Sequence, residues 1–431
     1  MSGYEFLLVQ GGYRLEGAVR VSGAKNSVLP LLMATLLSAE KSELTNVPNI
    51  DDIGVTLRLL ESLGAHCDYN GGRVTVQTAK ITNAETPYSL VKALRSSFWV
   101  LGPLVARHGS ARVALPGGDA IGSRPVDLHL KGLVSFGADV RLKNGVVVAT
   151  VPGRLLPAKI DLDFPSVGAT HQLMMTAALI PGESLITGAA CEPEVVELAN
   201  FLIGMGADIE GAGTPTLRIV GRKELGGCSQ MVRGDRIEAA TYLIAGAVTQ
   251  GRVTVKGIER EKLEAVLEIL DTAGCSVISS DTSITVSASD RLKPFSVTTA
   301  PFPGVATDTQ SLLMAAAVRA SGVSTIDETV FDNRFGHVAE YRRLGANIVL
   351  DGRRATITGV PTLSGAPVES TDIRAAAGLV VMGLMAEGET RVSEIFHLDR
   401  GYDGLVDKLQ ALGARVSRVP FAEHREVVFG C

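Results

Sequence analysis

The chain has 431 residues, 46% of them hydrophobic and 20% charged, which is enough apolar matter for a large buried core and excludes a disordered tail. At about 100–200 residues per domain, two domains are expected. Forty-one Lys and Arg against 46 Asp and Glu leave a formal charge of −5 without any basic block, which argues against nucleic acid as a partner.

Residues 1–13 combine Glu5 with a short apolar run, and the longest apolar stretches, such as 28–37, fall short of the roughly 20 residues a membrane span needs. Neither export nor membrane insertion is expected. Ser22-Gly23-Ala24-Lys25-Asn26 stands immediately before the first apolar helix. Helix N-terminal N–H groups and a lysine there would bind an anion; alternatively the turn only caps the helix and the lysine is solvated. Next, Val55, Leu59, Leu60 and Leu63 share one helical face, and the helix closes on Gly64-Ala65 before a β-branched run.

That ending recurs at Gly137-Ala138, Gly206-Ala207, Gly274-Cys275, Gly345-Ala346 and Gly413-Ala414, with glycines 68 to 73 residues apart. A glycine here supplies the left-handed C-cap of the helix. A second recurring stretch lies upstream, rich in Ala, Leu and Met and closing on a turn, at 104–109, 247–251 and 384–388. Short strand-like runs such as Arg252-Val253-Thr254-Val255 follow it. Each unit of about 70 residues therefore reads as strand, apolar helix, strand, amphipathic helix, strand, strand, and six units divide into two groups of three. The near-continuous apolarity of 173–180 and 312–318 predicts helices at the centre of each group. The break is expected near Gly226-Gly227-Cys228-Ser229, before Asp235-Arg236-Ile237-Glu238, and a cleft between two lobes is the default place for chemistry.

Three features interrupt the repeat. One is the turn at 22–26. Another is the loop at 115–129, whose glycines and prolines, with Asp119 and Arg124, suit either a mobile lid carrying reactive groups or a surface connection. The last is a dispersed set, Arg95, Asp235, Arg236, Asp308, Arg334, Asp372, Arg374, Asp399 and Arg400, which would form an anion site if its members converge and surface ion pairs if they do not. The five cysteines, Cys67, Cys191, Cys228, Cys275 and Cys431, are odd in number and never spaced C-x-x-C, which fits a reducing, cytoplasmic setting and argues against a zinc site. The seven histidines are spread out, and His129 is expected to orient a loop. No phosphate-binding, dinucleotide, zinc-protease or serine-esterase motif occurs, so neither metal nor cofactor is expected.

With these features, Arg95-Ser96-Ser97 and Trp99, Asp235-Arg236-Ile237-Glu238, Thr307-Asp308, Glu328-Thr329-Val330-Phe331-Asp332-Asn333-Arg334-Phe335, Thr371-Asp372-Ile373-Arg374 and His397-Leu398-Asp399-Arg400-Gly401-Tyr402 cover nearly the whole chain. Together they resemble the UDP-N-acetylglucosamine 1-carboxyvinyltransferase (MurA) family of enolpyruvyl transferases. The resemblance implies an α/β fold of the EPSP synthase-like class, a two-lobed inside-out barrel of six strand-helix repeats. Lobe I would comprise residues 1–21 and 230–431, the first strand crossing over to it; lobe II would comprise 22–229 and carry the lid at 115–125. The implied reaction is transfer of the enolpyruvyl group of phosphoenolpyruvate to the 3′-hydroxyl of UDP-N-acetylglucosamine with release of phosphate, the first committed step of peptidoglycan synthesis.

By the same resemblance, Lys25 and Asn26 meet phosphoenolpyruvate, Arg124 and Arg400 clamp its phosphate and carboxylate, and Arg374, with Arg334, supplies supporting charge. Arg95, Arg124, Pro125, Val126, Asp127, Leu128, Ser166, Val167 and the backbone near Val330 hold the UDP-sugar, and Asp308 accepts the proton of the 3′-hydroxyl. Two departures stand out. Asp119 occupies the place where most of the family has the cysteine that protonates the methylene carbon and reacts with fosfomycin. A carboxylic acid can donate that proton only when protonated, so the closed site or the phosphate dianion would have to raise its pKa against neighbouring Arg and Lys. Resistance to fosfomycin is expected. The other departure is Phe164, where relatives often carry a lysine near the uridine. Alternatives are a shikimate-pathway transferase, a specialised transferase with another nucleotide acceptor, and a non-catalytic UDP-sugar-binding regulator. Residues 421–431 extend beyond the last repeat and are assigned no role.

Overall fold

The computed structural model describes residues 5–117, 121–122 and 125–420. Two compact units account for them, one of residues 5–21, 121–122 and 235–420, the other of residues 22–117 and 125–234.

Local order follows the expected unit. Strand Lys159–Asp161 runs parallel to Gly182–Thr187, which pairs antiparallel with Thr216–Gly221, itself antiparallel to Asp208–Glu210. A parallel pair needs a crossover, and the apolar helix Val167–Ala178 provides it. Helix Pro193–Gly204 then leads into the antiparallel pair. The same order appears in the other unit as strand Ser296–Thr298, helix Gln310–Val318, strand Val323–Asp327, helix Val338–Arg343 and the pair Asn347–Asp351 and Arg354–Thr358. Strand side chains alternate: Val253 and Val255 of Arg252–Lys256 are fully buried while its end residues are exposed. All six recurring glycines take the left-handed backbone their C-cap role needs, with φ of 108° at Gly64, 97° at Gly137, 108° at Gly206, 95° at Gly274, 96° at Gly345 and 93° at Gly413.

Three details differ from the sequence reading. Among the described residues the sheet of Ser110–Ala114, Val146–Thr150 and Asp139–Lys143 has three strands where the others have four. Its expected fourth strand shrinks to one parallel bridge between Glu85 and Arg112, because Pro87 has no N–H to continue a ladder and instead starts the helix Tyr88–Ala93. The unit beginning at residue 22 continues to residue 234 and does not end at 229, since Ser229–Met231 pairs in parallel with Lys41–Thr45. Ile121 and Gly122, expected with that same lobe, group instead with the unit of residues 235–420: the Asn333 N–H donates to the Ile121 carbonyl at 3.2 Å. The beginning of the chain joins that unit too. Glu5–Gln10 lies antiparallel between Glu389–Ser393 and Arg415–Pro420, and Glu16–Arg20 runs parallel to Arg252–Lys256.

Each unit has its own hydrophobic core. In the unit holding the C-terminal half, helices Arg236–Val248, Gln310–Val318 and Ile373–Met385 pack on one another, and every residue of the last two is buried. Small residues permit the close approach. In the other unit, Gly102 of helix Leu101–His108 faces helix Val167–Ala178 so closely that a Cβ would lie 2.5 Å from Thr176 Oγ1 and 2.8 Å from the Gln172 carbonyl oxygen. Gly102→Ala should therefore lower the urea midpoint. Overpacking of this kind costs about 1–3 kcal/mol, more than the roughly 1 kcal/mol that alanine contributes to helix propensity. A midpoint equal to or above that of the wild type would contradict the packing argument.

Candidate active site

Three helix starts in the unit of residues 235–420 carry aspartates. Asp235 caps Arg236–Val248, accepting from the N–H of Ile237 at 2.7 Å and Glu238 at 3.1 Å. Asp372 caps Ile373–Met385, accepting from Arg374 at 2.8 Å and Ala375 at 3.1 Å. Asp308 lies in the 3-10 turn Thr307–Thr309 that leads into Gln310–Val318. Caps of this kind satisfy first-turn N–H donors and complement the positive helix end.

Asp308 is the meeting point of the cluster. Arg374 Nη2 donates to its Oδ2 at 3.0 Å, and Arg334 Nη2 lies 3.4 Å from its Oδ1. Arg334 Nη1 also reaches Asp372 Oδ1 at 3.5 Å. Both guanidiniums are buried, whereas the Asp308 side chain keeps 28% of its surface exposed. Burial alone would raise the Asp308 carboxyl, but Arg374 first and then Arg334 outweigh it and hold the group well below the usual carboxylate range. Nearby, the fully buried Glu328 accepts from the N–H groups of Val330 at 2.8 Å and Phe331 at 3.0 Å and from Thr307 Oγ1 at 2.9 Å. It thereby ties the turn at Val330 to the segment that carries Asp308.

The other unit holds Lys25, the first residue of helix Lys25–Ala34. The solvated-lysine alternative is not what the structure shows: Lys25 Nζ is buried and lies 2.7 Å from Oδ2 of the buried Asp52, in the first turn of Asp51–Ser62. Arg95 Nη2 donates to the Pro125 carbonyl at 3.4 Å, bringing Arg95 beside the start of helix Asp127–Ser135. His129 of that helix donates from Nδ1 to Gln172 Oε1 at 3.0 Å, a tautomer assigned from the Gln172 amide donating to the His129 carbonyl at 3.5 Å. Burial pushes the His129 imidazole down to about 4, so it is neutral and orients the helix pair. Ser166 caps Val167–Ala178 by accepting from the Ala169 N–H at 3.3 Å. A Cβ on Gly168 would lie 2.8 Å from Trp99 Nε1 and 3.3 Å from His129 Nε2, so only glycine lets the indole and the imidazole sit over this helix start. Phe164, just before it, is 45% exposed.

The dispersed set thus resolves within each unit. Asp308, Arg334, Asp372 and Arg374 converge, and Arg236 adds its field at Asp308. Asp399 does not join them, being paired with Arg418. Arg400 follows the short helix Phe396–Asp399 as its C-cap. Arg95, Pro125, Val126, Asp127, Leu128, Ser166 and Val167 belong to one unit, around two helix starts, while Asp308 and Val330 belong to the other. Asp119 and Arg124 lie outside the described residues. Sequence reasoning assigned no role to Asp52, Glu328, Thr241 or Tyr402; for Glu328 and Tyr402 the available signal was their place inside the quoted motifs, and Asp52 and Thr241 had none. Among the described residues, no cluster of three or more His, Cys, Asp or Glu suits a metal ion, and no helix is long and apolar enough to cross a membrane.

Comparison with known proteins is consistent across the chain. Residues 9–409 match the family model of EPSP synthase (3-phosphoshikimate 1-carboxyvinyltransferase). The chain is 48% identical over 413 residues to the UDP-N-acetylglucosamine 1-carboxyvinyltransferase of Geobacter metallireducens, covering 96% of this chain and 99% of the relative. It is 47% identical over 417 residues to UDP-N-acetylglucosamine 1-carboxyvinyltransferase 2 of Carboxydothermus hydrogenoformans, with coverage of 96% and 99%. Among solved structures, the enolpyruvyl transferase NikO from Streptomyces tendae superposes with a TM-score of 0.87 at 30% identity, covering 97% of this chain and 99% of that one. EPSP synthase from Acinetobacter baumannii superposes with a TM-score of 0.75 at 19% identity, covering 96% and 100%, which shows a shared fold. The chain therefore belongs to the EPSP synthase family of enolpyruvyl transferases, in the branch of the UDP-N-acetylglucosamine 1-carboxyvinyltransferases.

Proposed function

We propose that this protein transfers the enolpyruvyl group of phosphoenolpyruvate to the 3′-hydroxyl of UDP-N-acetylglucosamine and releases phosphate, in the cytoplasm, at the first committed step of peptidoglycan synthesis. The observation that carries the reading is 48% identity over 96% of the chain to an enzyme named for that activity. The architecture we assign is the inside-out α/β barrel of six repeats in two lobes, a reading supported by the recurring glycines and the repeated crossover unit.

The mechanism is addition followed by elimination. Asp308 accepts the proton of the 3′-hydroxyl as the oxygen bonds to C2 of phosphoenolpyruvate, and Asp119 delivers a proton to the methylene carbon. Asp119, then a carboxylate, takes a proton back from that carbon as the bond from C2 to the phosphate oxygen breaks, giving the enol ether and free phosphate, and the proton held by Asp308 is released with the phosphate. Lys25, Asn26, Arg124, Arg374 and Arg400 bind the phosphate and carboxylate. Arg95, residues 124–128, Ser166, Val167 and Val330 hold the UDP-sugar. Two guanidiniums on one carboxylate support this assignment, since they gather positive charge beside the residue assigned as the base.

A second reading, a transferase acting on another nucleotide, is favoured by the exposed Phe164. Phosphate release measured with UDP-N-acetylglucosamine and with other nucleotides decides between them. No release with any acceptor would leave the non-catalytic regulator. Asp308→Ala should lower kcat by about 100-fold or more, in the range of general-base loss. Asp119→Asn should abolish turnover; undiminished turnover would remove Asp119 as the acid. Intact mass after incubation with fosfomycin and UDP-sugar should show no adduct on the wild type and one adduct on Asp119→Cys, because a carboxylate is a poorer nucleophile toward an epoxide than a thiolate.

A further inference from the structure

Arg374 has to be aimed at Asp308. Its side chain is long and rotamer-rich, so a single contact at 3.0 Å does not fix the guanidinium. Its position in the first turn of Ile373–Met385 also sets a positive charge against the positive helix end, a placement that needs compensation. Tyr402 supplies a second anchor. The guanidinium carbon lies 5.7 Å from the Tyr402 ring centroid, within cation–π range.

Tyr402 is itself held. Its backbone reaches the start of Ile373–Met385 because residue 401 is glycine: a Cβ there would lie 2.6 Å from Ile373 Cγ2. Its hydroxyl lies 3.0 Å from Thr241 Oγ1, in helix Arg236–Val248. The Thr241 hydroxyl donates its one proton to the Ile237 carbonyl at 2.8 Å. Tyr402 must therefore be the donor to Thr241, which fixes its hydroxyl and with it the ring that lies beside Arg374. Donors thus run in one direction, from Tyr402 to Thr241 to Ile237, while Arg374, beside the Tyr402 ring, donates to Asp308.

The charged groups around this chain are few. Arg374 faces Asp308 and Asp235. Asp308 faces Arg374, Arg334 and Arg236. Arg334 is shared with Asp372 and stands beside His337, which burial pushes down to about 4 and leaves neutral. The neighbouring phenols of Tyr242 and Tyr341 are raised well above their ordinary value by burial and stay protonated.

We propose that Tyr402, braced by Thr241, is a positioning residue for the transfer reaction, holding the Arg374 guanidinium in the orientation that presents its N–H to Asp308. The proposal rests on the reading of Asp308 as the acceptor of the hydroxyl proton. Tyr402→Phe keeps the ring and removes only the oxygen. Tyr402→Phe removes the hydrogen bond to Thr241 that fixes the ring, and phosphate release with phosphoenolpyruvate and UDP-N-acetylglucosamine should show kcat reduced about tenfold, the scale of one buried hydrogen bond, with KM for UDP-N-acetylglucosamine within about twofold of the wild type. Thr241→Val should lower kcat in the same way by less. A Tyr402→Phe enzyme with kcat within twofold of the wild type overturns the proposal, as does a fall in kcat that accompanies a lowered urea midpoint, the result a merely structural role would give. If Tyr402→Phe does not fold, Thr241→Val decides, and an unchanged kcat there overturns it. Asp308→Ala measured alongside separates the two ideas: full activity in that variant removes the reading of Asp308, whereas its inactivity beside an unimpaired Tyr402→Phe removes only the role of Tyr402.

Discussion

Burying a helix on all sides leaves its ends as the only places for polar chemistry. Ile373–Met385 and Gln310–Val318 have no exposed residue, and their apolar side chains fill the core of their unit with those of Arg236–Val248. Their backbone groups are satisfied within the helices except in the terminal turns, where caps are required. Asp235 and Asp372 provide such caps, and Asp308 leads into the third helix. Because the three helices pack together, their starts lie close, and the acids at those starts are gathered with Arg334 and Arg374. The packing of small residues thus precedes the electrostatics: a Cβ at Gly378 would lie 1.9 Å from Tyr341 Oη, so the core closes around this helix only with glycine there.

An ion cluster of this kind is poor evidence for stability. Removing charges from water costs several kcal/mol per ion, and attraction recovers it only with good geometry. Arg334 divides its contacts between Asp308 and Asp372 at 3.4 and 3.5 Å, so neither pairing is optimal. The Asp308 side chain remains partly open, in contrast with the Lys25–Asp52 pair, closed at 2.7 Å with both side chains buried. A poorly optimised, partly open cluster fits a site that must exchange protein contacts for substrate contacts.

Much of the fold was legible because it is written in short-range terms. The Gly-Ala endings announced left-handed caps, which are local backbone requirements, and all six glycines have them. Near-continuous apolarity at 173–180 and 312–318 pointed to the buried helices Val167–Ala178 and Gln310–Val318, the first ending two residues before 180. The missing fourth strand was obscured by a single residue, Pro87, whose lack of an N–H matters only once the pairing partner Arg112 is known. The boundary at residue 234 depends on a parallel pairing with Lys41–Thr45, almost 190 residues earlier in the chain.

The sequence by itself determined the repeat, the two-group organisation, the family resemblance and the identity of the residues available for anion binding, because each is a matter of residue type and spacing along the chain. Only the tertiary structure decided which charges meet. Arg334 and Arg374 turned to Asp308, Asp399 turned to Arg418, and Lys25 found Asp52. Nor could spacing reveal that Thr241 sends its proton to Ile237 and so orients Tyr402. Hydrogen bonds and ion pairs are set over a few ångströms between residues far apart in the chain, and helix packing alone brings them within that range.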